Sequence, residues 1–300
     1  MQAASERKVY LLMTLTAFFW SGAFIGGKVG VGEFTPVTLT FFRFLLASII
    51  LLPVMIHSEG SLVKVGRKDI PVLIILGLTG MFGYHALFFT ALQYTTAINT
   101  SLISATSPII TTVFACLFVN EILEKRRWAA VIMAFSGVLL TITGGNPEIF
   151  KSLSFNAGDL LMVIASICKA VYIVISRRVA NRISPMVITT YSFLVCLAAC
   201  IPFMVFEDTV NIIRQATWKG WASVLYMAVF SSSAGYLIQQ ISIKSIGASK
   251  TTAFENLVPV FTIVLSALIL GEGATAVKIA SAVIIIAGVY LNSVYKSRSA

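Results

Sequence analysis

Long apolar runs, separated by short polar gaps, follow one another along the whole chain. A bilayer core needs about twenty mostly apolar residues per helix, because backbone groups in hydrocarbon find hydrogen-bond partners only within that helix. The pattern therefore predicts an all-α polytopic membrane protein, with connections too short to form a soluble domain. The ten predicted transmembrane segments are 9–31, 35–56, 70–92, 97–119, 128–144, 158–177, 186–206, 220–243, 250–270 and 275–295.

Composition and charge agree with this prediction. Hydrophobic residues make up 58% of the chain and charged residues 11%, whereas about a quarter of the residues of a soluble domain are charged. Of the Lys and Arg residues behind the net charge of +10, fifteen flank the segments on one side of the membrane and five on the other. Cytoplasmic loops are the ones enriched in these residues, so both termini are predicted to be cytoplasmic, and no nucleic-acid partner is predicted.

The chain also contains an internal repeat. Sliding the sequence by 151 positions aligns ten identical residues within an ungapped stretch of 42 that begins at Ala97. A slide of 149 aligns the earlier segments more weakly and places Trp20 on Lys169. Because the repeated unit holds five segments, an odd number, the second copy is predicted to enter the membrane in the opposite orientation, as in secondary transporters. The predicted halves are residues 1–146 and 147–300.

Three motifs carry a family resemblance. They are W-S-G-A-F at 20–24, F-R-F-L-L-A at 42–47 and, in each half, a Pro followed thirteen residues later by a Glu. With these motifs the chain resembles, over nearly its whole length, the EamA-like family of the drug/metabolite transporter superfamily. The resemblance implies ten helices in an inverted 5+5 arrangement around a central cavity, and the predicted location is the plasma (inner) membrane of a bacterium or an archaeon. The two Pro and Glu pairs are Pro108 with Glu121 and Pro259 with Glu272.

Ionisable side chains deep in the predicted segments are candidates for a transport site, because each costs about 2.5–3.5 kcal/mol at a helix centre. Lys169 lies near the midplane, and it is predicted either to receive an anionic group of the substrate or to form a structural ion pair with Glu255. Its repeat partner Trp20 is predicted to form an aromatic wall. Glu255 is also the candidate for carrying a coupling proton. Asn256 beside it is likewise predicted to bind substrate, and both precede Pro259, which is expected to disturb the helix.

Polar and aromatic residues of other segments complete the predicted cavity. His85 lies mid-segment beside Tyr84, and it is expected to hydrogen-bond either the substrate or a neighbouring helix. Ser104 is the counterpart of Glu255 in the first half. The remaining residues predicted to line the substrate site are Tyr172, Tyr191, Gln239 and Gln240.

Other residues are predicted to have structural or gating roles. Arg43 lies near the outer end of the second segment, where it is expected to pair structurally or to reach toward the surface. Glu121 and Glu272 are predicted to anchor helix ends or to form gate contacts, next to the helix-shaping Pro108 and Pro259. A stripe of small residues in the first segment is expected to let another helix approach closely. That stripe consists of Gly22, Gly26 and Gly30.

Together these features predict a secondary carrier that exports small metabolites by alternating access, with amino acids or related zwitterions as the leading substrate class. An exchanger of anionic or phosphorylated metabolites and a drug/metabolite efflux carrier are the alternatives. The expected partners are the lipid bilayer and a small-molecule substrate, while protons and a second copy of the chain in a homodimer are left open. The four cysteines lie in apolar runs without metal-ligand spacing, so no metal, cofactor or enzyme activity is predicted.

Overall fold

In the computed structural model of the protein, the regular structure of the described residues is entirely helical. Two residues discussed above, Pro108 and Glu121, lie outside the described part of the chain. The described residues are 2–60, 65–107, 109–110, 113–114, 125–146, 148, 155–180, 182–246, 251 and 254–294.

Helices occupy the predicted segments as far as these are described. They are α1 Gln2–Gly30, α2 Pro36–Glu59, α3 Ile70–Tyr94, α4 Ala97–Ser104, α5 Lys125–Thr143, α6 Ala157–Val179, α7 Pro185–Met204, α8 Trp218–Ile246, α9 Leu257–Ile269 and α10 Ala276–Val294, with a short unlabelled helix Thr209–Gln215 before α8. Six of them (α1, α2, α3, α6, α7 and α8) are long and apolar enough to cross a membrane, and α5, α9 and α10 are shorter apolar helices. The prediction of an all-α polytopic membrane protein is confirmed, and the inverted repeat of ten spans stays a prediction.

The first helix is longer than its membrane span. It begins at Gln2, because polar first turns continue the helix beyond the apolar run, while its candidate span Arg7–Gly30 agrees with the predicted segment 9–31. The segment 250–270 does not form one α-helix. A 3₁₀ turn spans Phe254–Asn256, and α9 begins only after it.

This break in the ninth segment has a local cause. Pro259 lies in the first turn of α9, and proline has no N–H to donate to the carbonyl four residues earlier, at Glu255. In the first half, α4 ends at Ser104, whose carbonyl accepts a hydrogen bond from the hydroxyl of Ser107 over 2.7 Å. Ser104 and Glu255 are 151 positions apart. Each predicted half therefore has a helix break that carries a polar side chain at the corresponding position.

The starts of α2 and α7 show why these helices begin where they do. Thr35 and Ser184 are the N-cap residues, and each side-chain oxygen accepts a backbone N–H of the first turn. Pro36 and Pro185 follow them at the first helical position. The N–H that proline lacks would have no partner within the helix at that position, so no hydrogen bond is lost. The two pairs are 149 positions apart, the offset that aligns the earlier segments of the repeat.

Helices α3 and α8 each contain a π-helical stretch, over Gly77–Gly83 and Met227–Ala234. The stretches correspond at an offset of 151, apart from the first residue of the second. In α3 the small residues allow close packing, since a Cβ added at Gly80 would lie 2.3 Å from Cδ2 of Tyr172. Wide helical turns of this kind are common at functional sites. They occur here at mid-helix, next to the cavity described below.

Several helices pack against their own partners in the predicted repeat, namely α2 against α7, α4 against α9 and α5 against α10. The last pair approaches closely at two glycines. A Cβ added at Gly137 would lie 2.7 Å from Cγ1 of Ile285, and one added at Gly288 would lie 2.7 Å from the backbone nitrogen of Ala134. These glycines are repeat partners. The expected glycine stripe of α1 is confirmed as a close contact, here with α8.

Candidate functional site

A cavity lies at mid-length of the helices and is lined from both predicted halves. Polar and charged groups and aromatic rings make up most of its wall. The residues expected to bind substrate that line it are Trp20, Tyr84, His85, Ser104, Lys169, Gln239 and Glu255. The remaining lining residues are Ala23, Phe24, Arg43, Phe88, Ser101, Ala105, Tyr236 and Val258.

An ion pair crosses the cavity wall between α6 and the 3₁₀ turn before α9. Nζ of Lys169 lies 2.8 Å from Oε2 of Glu255, and the side chains are 14% and 2% exposed. The other carboxylate oxygen accepts a hydrogen bond from Nε2 of Gln239 over 3.0 Å. Of the two alternatives weighed for Lys169, the structure thus contains the ion pair. Lys169 also lines the cavity wall.

Aromatic rings surround the same ammonium group. Nζ of Lys169 lies 5.6 Å from the ring centroid of Trp20 and 5.6 Å from that of Tyr84, distances typical of cation–π contacts. The indole N–H of Trp20 donates to the carbonyl of Ser231 over 3.1 Å, within the π-helical stretch of α8. The Tyr84 hydroxyl lies 3.4 Å from that of Ser104. These bonds hold both rings in place, so the charged group occupies a preformed site.

His85 connects the two π-containing helices. Its Nδ1 lies 2.8 Å from the Met81 carbonyl, and because a carbonyl only accepts, Nδ1 carries the hydrogen. Nε2 of the neutral ring then accepts a hydrogen bond from the Tyr236 hydroxyl, 3.2 Å away. The ring of Phe44 packs edge-on against the imidazole, with 4.8 Å between centroids. His85 therefore bonds to a neighbouring helix and also faces the cavity.

Arg43 lines the cavity without the ion pair expected for it. Its side chain is buried, Nε donates to the hydroxyl of Ser232 over 2.7 Å, and Cζ lies 5.4 Å and 5.8 Å from the ring centroids of Phe44 and Phe89. Among the residues that the structure describes, no carboxylate lies within salt-bridge distance of the guanidinium. Burial also excludes the alternative of a side chain extended to the surface.

Four residues expected at the substrate site lie outside the cavity wall. Tyr172 lies behind Tyr236, and its hydroxyl accepts a hydrogen bond from Nε2 of Gln240 over 2.7 Å. Tyr191 packs half-buried in the apolar core between α2, α3 and α7. Asn256 is buried beside Glu255 without reaching the wall. The rotation of each helix about its own axis decides whether a residue faces the cavity, and the hydropathy pattern does not reveal that rotation.

Sequence reasoning missed three prominent lining residues. Tyr236 could have been found, because a slide of 151 places it on His85. Phe24 and Phe88 stand in apolar runs that contain other phenylalanines, so no signal in the sequence separates them from lipid-facing residues.

The profile of the EamA-like transporter family matches this chain twice, over residues 7–143 and 156–294. The chain belongs to the EamA-like transporter family. The uncharacterized transporter YyaM of Bacillus subtilis (strain 168) is 34% identical to it over 94% of this chain and 92% of that protein. A protein of Salmonella typhimurium named "Probable amino-acid metabolite efflux pump" is 25% identical over 96% of this chain and 95% of its own length.

A crystal structure with 18% sequence identity has a TM-score of 0.67 and covers 95% of this chain and 96% of its own, which shows a shared fold. Family and fold together make this EamA-like chain a multi-pass membrane transporter of a family found in bacteria and archaea, and not an enzyme. Its environment is therefore lipid, and its cargo is a small molecule.

On one face of this EamA-like transporter, carboxylates cap the starts of helices. Glu272, in the α9–α10 connection, accepts hydrogen bonds from the backbone nitrogens of Ala97 and Ile98 over 3.0 Å and 3.2 Å. These two amides open α4, and a helix N-terminus favours negative charge. The hydroxyl of Ser266 donates to the same carboxylate over 2.7 Å. The contact joins α9 of the second predicted half to α4 of the first.

Two more glutamates form the same kind of contact on that face. Glu207, which follows α7, accepts a hydrogen bond from the hydroxyl of Thr38 over 2.6 Å in the first turn of α2. Glu33, which follows α1, accepts hydrogen bonds from the backbone nitrogen and the hydroxyl of Thr217, just before α8. All three contacts cross between the predicted halves. We call the face defined by Glu33, Glu207 and Glu272 the capping face.

The described part of the opposite face contains one ion pair, between Asp69 and Arg182, with 2.7 Å between Oδ1 and Nη2. The arginine side chain is 58% exposed, and exposed pairs contribute only about 0–1 kcal/mol. Among the described residues, the capping face therefore has more carboxylate contacts between the predicted halves than the opposite face.

Proposed function

We propose that this EamA-like transporter is a secondary carrier that exports amino acids or related zwitterionic metabolites. The observation that carries the proposal is the cavity, which presents Arg43, Lys169 and Glu255 between aromatic rings. Fixed charges of both signs can replace the water around the carboxylate and the ammonium group of such a substrate. The name of the Salmonella typhimurium relative, an amino-acid metabolite efflux pump, supports the same substrate class.

Alternating access is proposed to use the capping face as one of its gates. Opening that face requires Glu33, Glu207 and Glu272 to leave the helix starts of the opposite half. Each charge at a helix terminus stabilises the contact by about 0.3–1 kcal/mol. Three such contacts would keep the face closed, but weakly enough for thermal motion to open it. With both termini in the cytoplasm, as the distribution of Lys and Arg predicts, the capping face lies on the outer side of the plasma membrane.

Glu255 is the proposed site of a coupling proton. Among the described residues, it is the carboxylate on the cavity wall, and its partners are Lys169 and Gln239. Protonation would remove the negative charge that faces the ammonium group of a zwitterionic substrate, so a proton and the substrate would alternate at the site, as export driven by an inward proton gradient requires. Transport would then require a proton to bind and leave in each cycle. If Glu255 stays charged, the substrate gradient alone drives transport.

The two alternative functions make different demands on the same cavity. An exchanger of phosphorylated metabolites needs several free cations, and here Glu255 already neutralises Lys169. The cavity observed is therefore less suited to a dianion. A drug efflux carrier needs mainly an apolar pocket, which Trp20, Phe24 and Phe88 could provide. That function predicts transport of aromatic cations that carry no carboxylate.

Counterflow in proteoliposomes tests these proposals. Vesicles preloaded with one unlabelled amino acid should take up the same labelled amino acid, whereas vesicles without protein should not. Repeating the assay with and without a pH gradient separates the two energy sources, since a flux unchanged by the gradient removes the proton-coupled version. Uptake of phosphorylated sugars or aromatic cations, with no uptake of any amino acid, would replace the proposed substrate class.

A further inference from the structure

We infer that the carboxylate of the substrate binds Arg43, and that Lys169 is not its anchor. This inference rests on the proposed function and deepens it, because it names the group of the substrate that the cavity recognises and the residue that does so. The sequence favours the opposite assignment, since Lys169 lies deeper in its helix than Arg43 lies in the second segment.

Lys169 already has its counter-charge. The carboxylate of Glu255 lies 2.8 Å from its ammonium nitrogen and is itself fixed by Gln239. The rings of Trp20 and Tyr84 flank the same nitrogen. An incoming carboxylate at this position would have to compete with Glu255 and would lie close to that like charge. In the state described here, Lys169 is therefore the weaker of the two anion sites.

Arg43 has no counter-charge among the described residues, although its side chain is only 2% exposed. One of its N–H groups donates to Ser232, Nη1 lies 4.0 Å from the sulfur of Met227, and two aromatic faces complete the surroundings. A buried cation without an anion is costly, so binding an anion there is favourable. The guanidinium has five N–H groups in a planar fork, which matches a carboxylate.

The charge balance of the cavity indicates which anion fits. Arg43 and Lys169 contribute two positive charges and Glu255 one negative charge, and His85 is counted as neutral because burial disfavours the charged imidazole. The described wall therefore carries one positive charge in excess. A carboxylate placed at Arg43 balances this excess locally, whereas a phosphate dianion would exceed it by one charge. The ammonium group of an amino acid has to lie away from Arg43, toward Glu255. The recognised class is thus a small metabolite with one carboxylate at the end that faces Arg43.

Thermal unfolding of the purified full-length protein tests this inference. The probes are the L-amino acids, each compared with its α-carboxamide, which keeps the ammonium group and lacks the carboxylate. The wild type should be stabilised by an amino acid and not by its amide. In Arg43→Gln the amino acid should need about tenfold or more concentration for the same shift, because charge-assisted hydrogen bonds are lost. Acid and amide should then differ little.

Matched variants make the result specific. Arg43→Lys keeps the buried charge without the planar fork, and it should weaken acid binding in a protein that folds even if Arg43→Gln does not. Lys169→Gln should keep the discrimination between acid and amide. Arg182→Gln, an arginine of the opposite face, should behave as the wild type.

Three outcomes would overturn the inference. The first is full discrimination between acid and amide in folded Arg43→Gln and Arg43→Lys. The second is loss of discrimination in Lys169→Gln alone, which would make Lys169 the anchor. The third is the absence of any amino-acid response in the wild type, which would overturn the proposed function as well. The first two leave the proposed function intact, so the two failures are distinguishable.

Discussion

The hydroxyl of Tyr236 donates a hydrogen bond to Nε2 of His85 over 3.2 Å, and these residues are 151 positions apart. The same offset aligns the later segments of the two halves. Trp20 and Lys169, matched by the offset of 149, also meet, with 5.6 Å between the ammonium nitrogen and the ring centroid. Contacts between repeat partners are expected if the two predicted halves are related by an approximate two-fold axis. The cavity lies at the place where such contacts converge.

The contact between His85 and Tyr236 should be important for both stability and transport. Tyr236→Phe removes one buried hydrogen bond and keeps the ring, so we expect the free energy of unfolding to fall by about 1 kcal/mol. Because the bond joins the two halves beside the cavity, the substrate concentration for half-maximal transport should also change. Thermal unfolding and counterflow on the same preparation measure both. A stability loss with unchanged transport would show that His85 is only a packing residue.

The ion pair should be required for transport. Lys169→Ala leaves Glu255 buried beside the cavity without its partner, and breaking a buried pair costs about 3–5 kcal/mol unless the carboxyl group is protonated. Because that protonation limits the loss of stability, we expect folded protein whose amino-acid counterflow is lost. Size-exclusion chromatography checks the fold and counterflow the activity. Full activity of this variant would exclude a transport role for Lys169.

A charge exchange separates a structural pair from a functional one. Lys169→Glu combined with Glu255→Lys keeps two opposite charges at the same positions. If the pair only neutralises buried charge, the double variant should transport like the wild type. We expect it to fold and to remain inactive, because the ammonium group would no longer lie between Trp20 and Tyr84.

Weakening the capping face should open it. Glu272→Gln removes the charge at the start of α4, and we expect the closed state to lose about 1 kcal/mol relative to the open one. A cysteine introduced as Ser104→Cys in a cysteine-free background should then react about fivefold faster with a membrane-impermeant maleimide added from that face. Asp208→Asn is the matched control, since Asp208 caps only the short helix of its own connection. An equal rate increase in both variants would exclude a specific gate.

Close packing at the π-helical stretch of α3 should be sensitive to a single methyl group. Gly80→Ala would place a Cβ 2.3 Å from Tyr172, and overpacking of this kind costs about 1–3 kcal/mol. Gly273→Ala is the control, because no atom lies within 4 Å of its added Cβ. Thermal unfolding of both variants checks the difference. Equal unfolding temperatures would mean that α3 and α6 are free to move apart at no cost.

Most of the helices, and part of the candidate site, could be predicted from the chain alone. Charged groups in an apolar run are conspicuous, so Lys169 and Glu255 were found together, and the pair between them was one of the stated alternatives. Tyr172 and Tyr191 were expected on the cavity wall and lie outside it. The hydroxyl of a tyrosine can find a hydrogen-bond partner behind the wall as well as on it, as Tyr172 does with Gln240. Arg43 was assigned to structure, because a sequence does not show whether a buried cation has an acid beside it.

The amino-acid sequence by itself determined the membrane class, the approximate spans and the repeat. These depend on the length and order of apolar runs, which lipid imposes on any chain that crosses it. Only the tertiary structure decided that His85 meets Tyr236, that Glu255 pairs with Lys169 while Arg43 has no counter-charge among the described residues, and that three glutamates contact helix starts of the other predicted half. Those relationships depend on the rotation of each helix and on where its backbone breaks, and distances between residues 150 positions apart follow from neither hydropathy nor spacing.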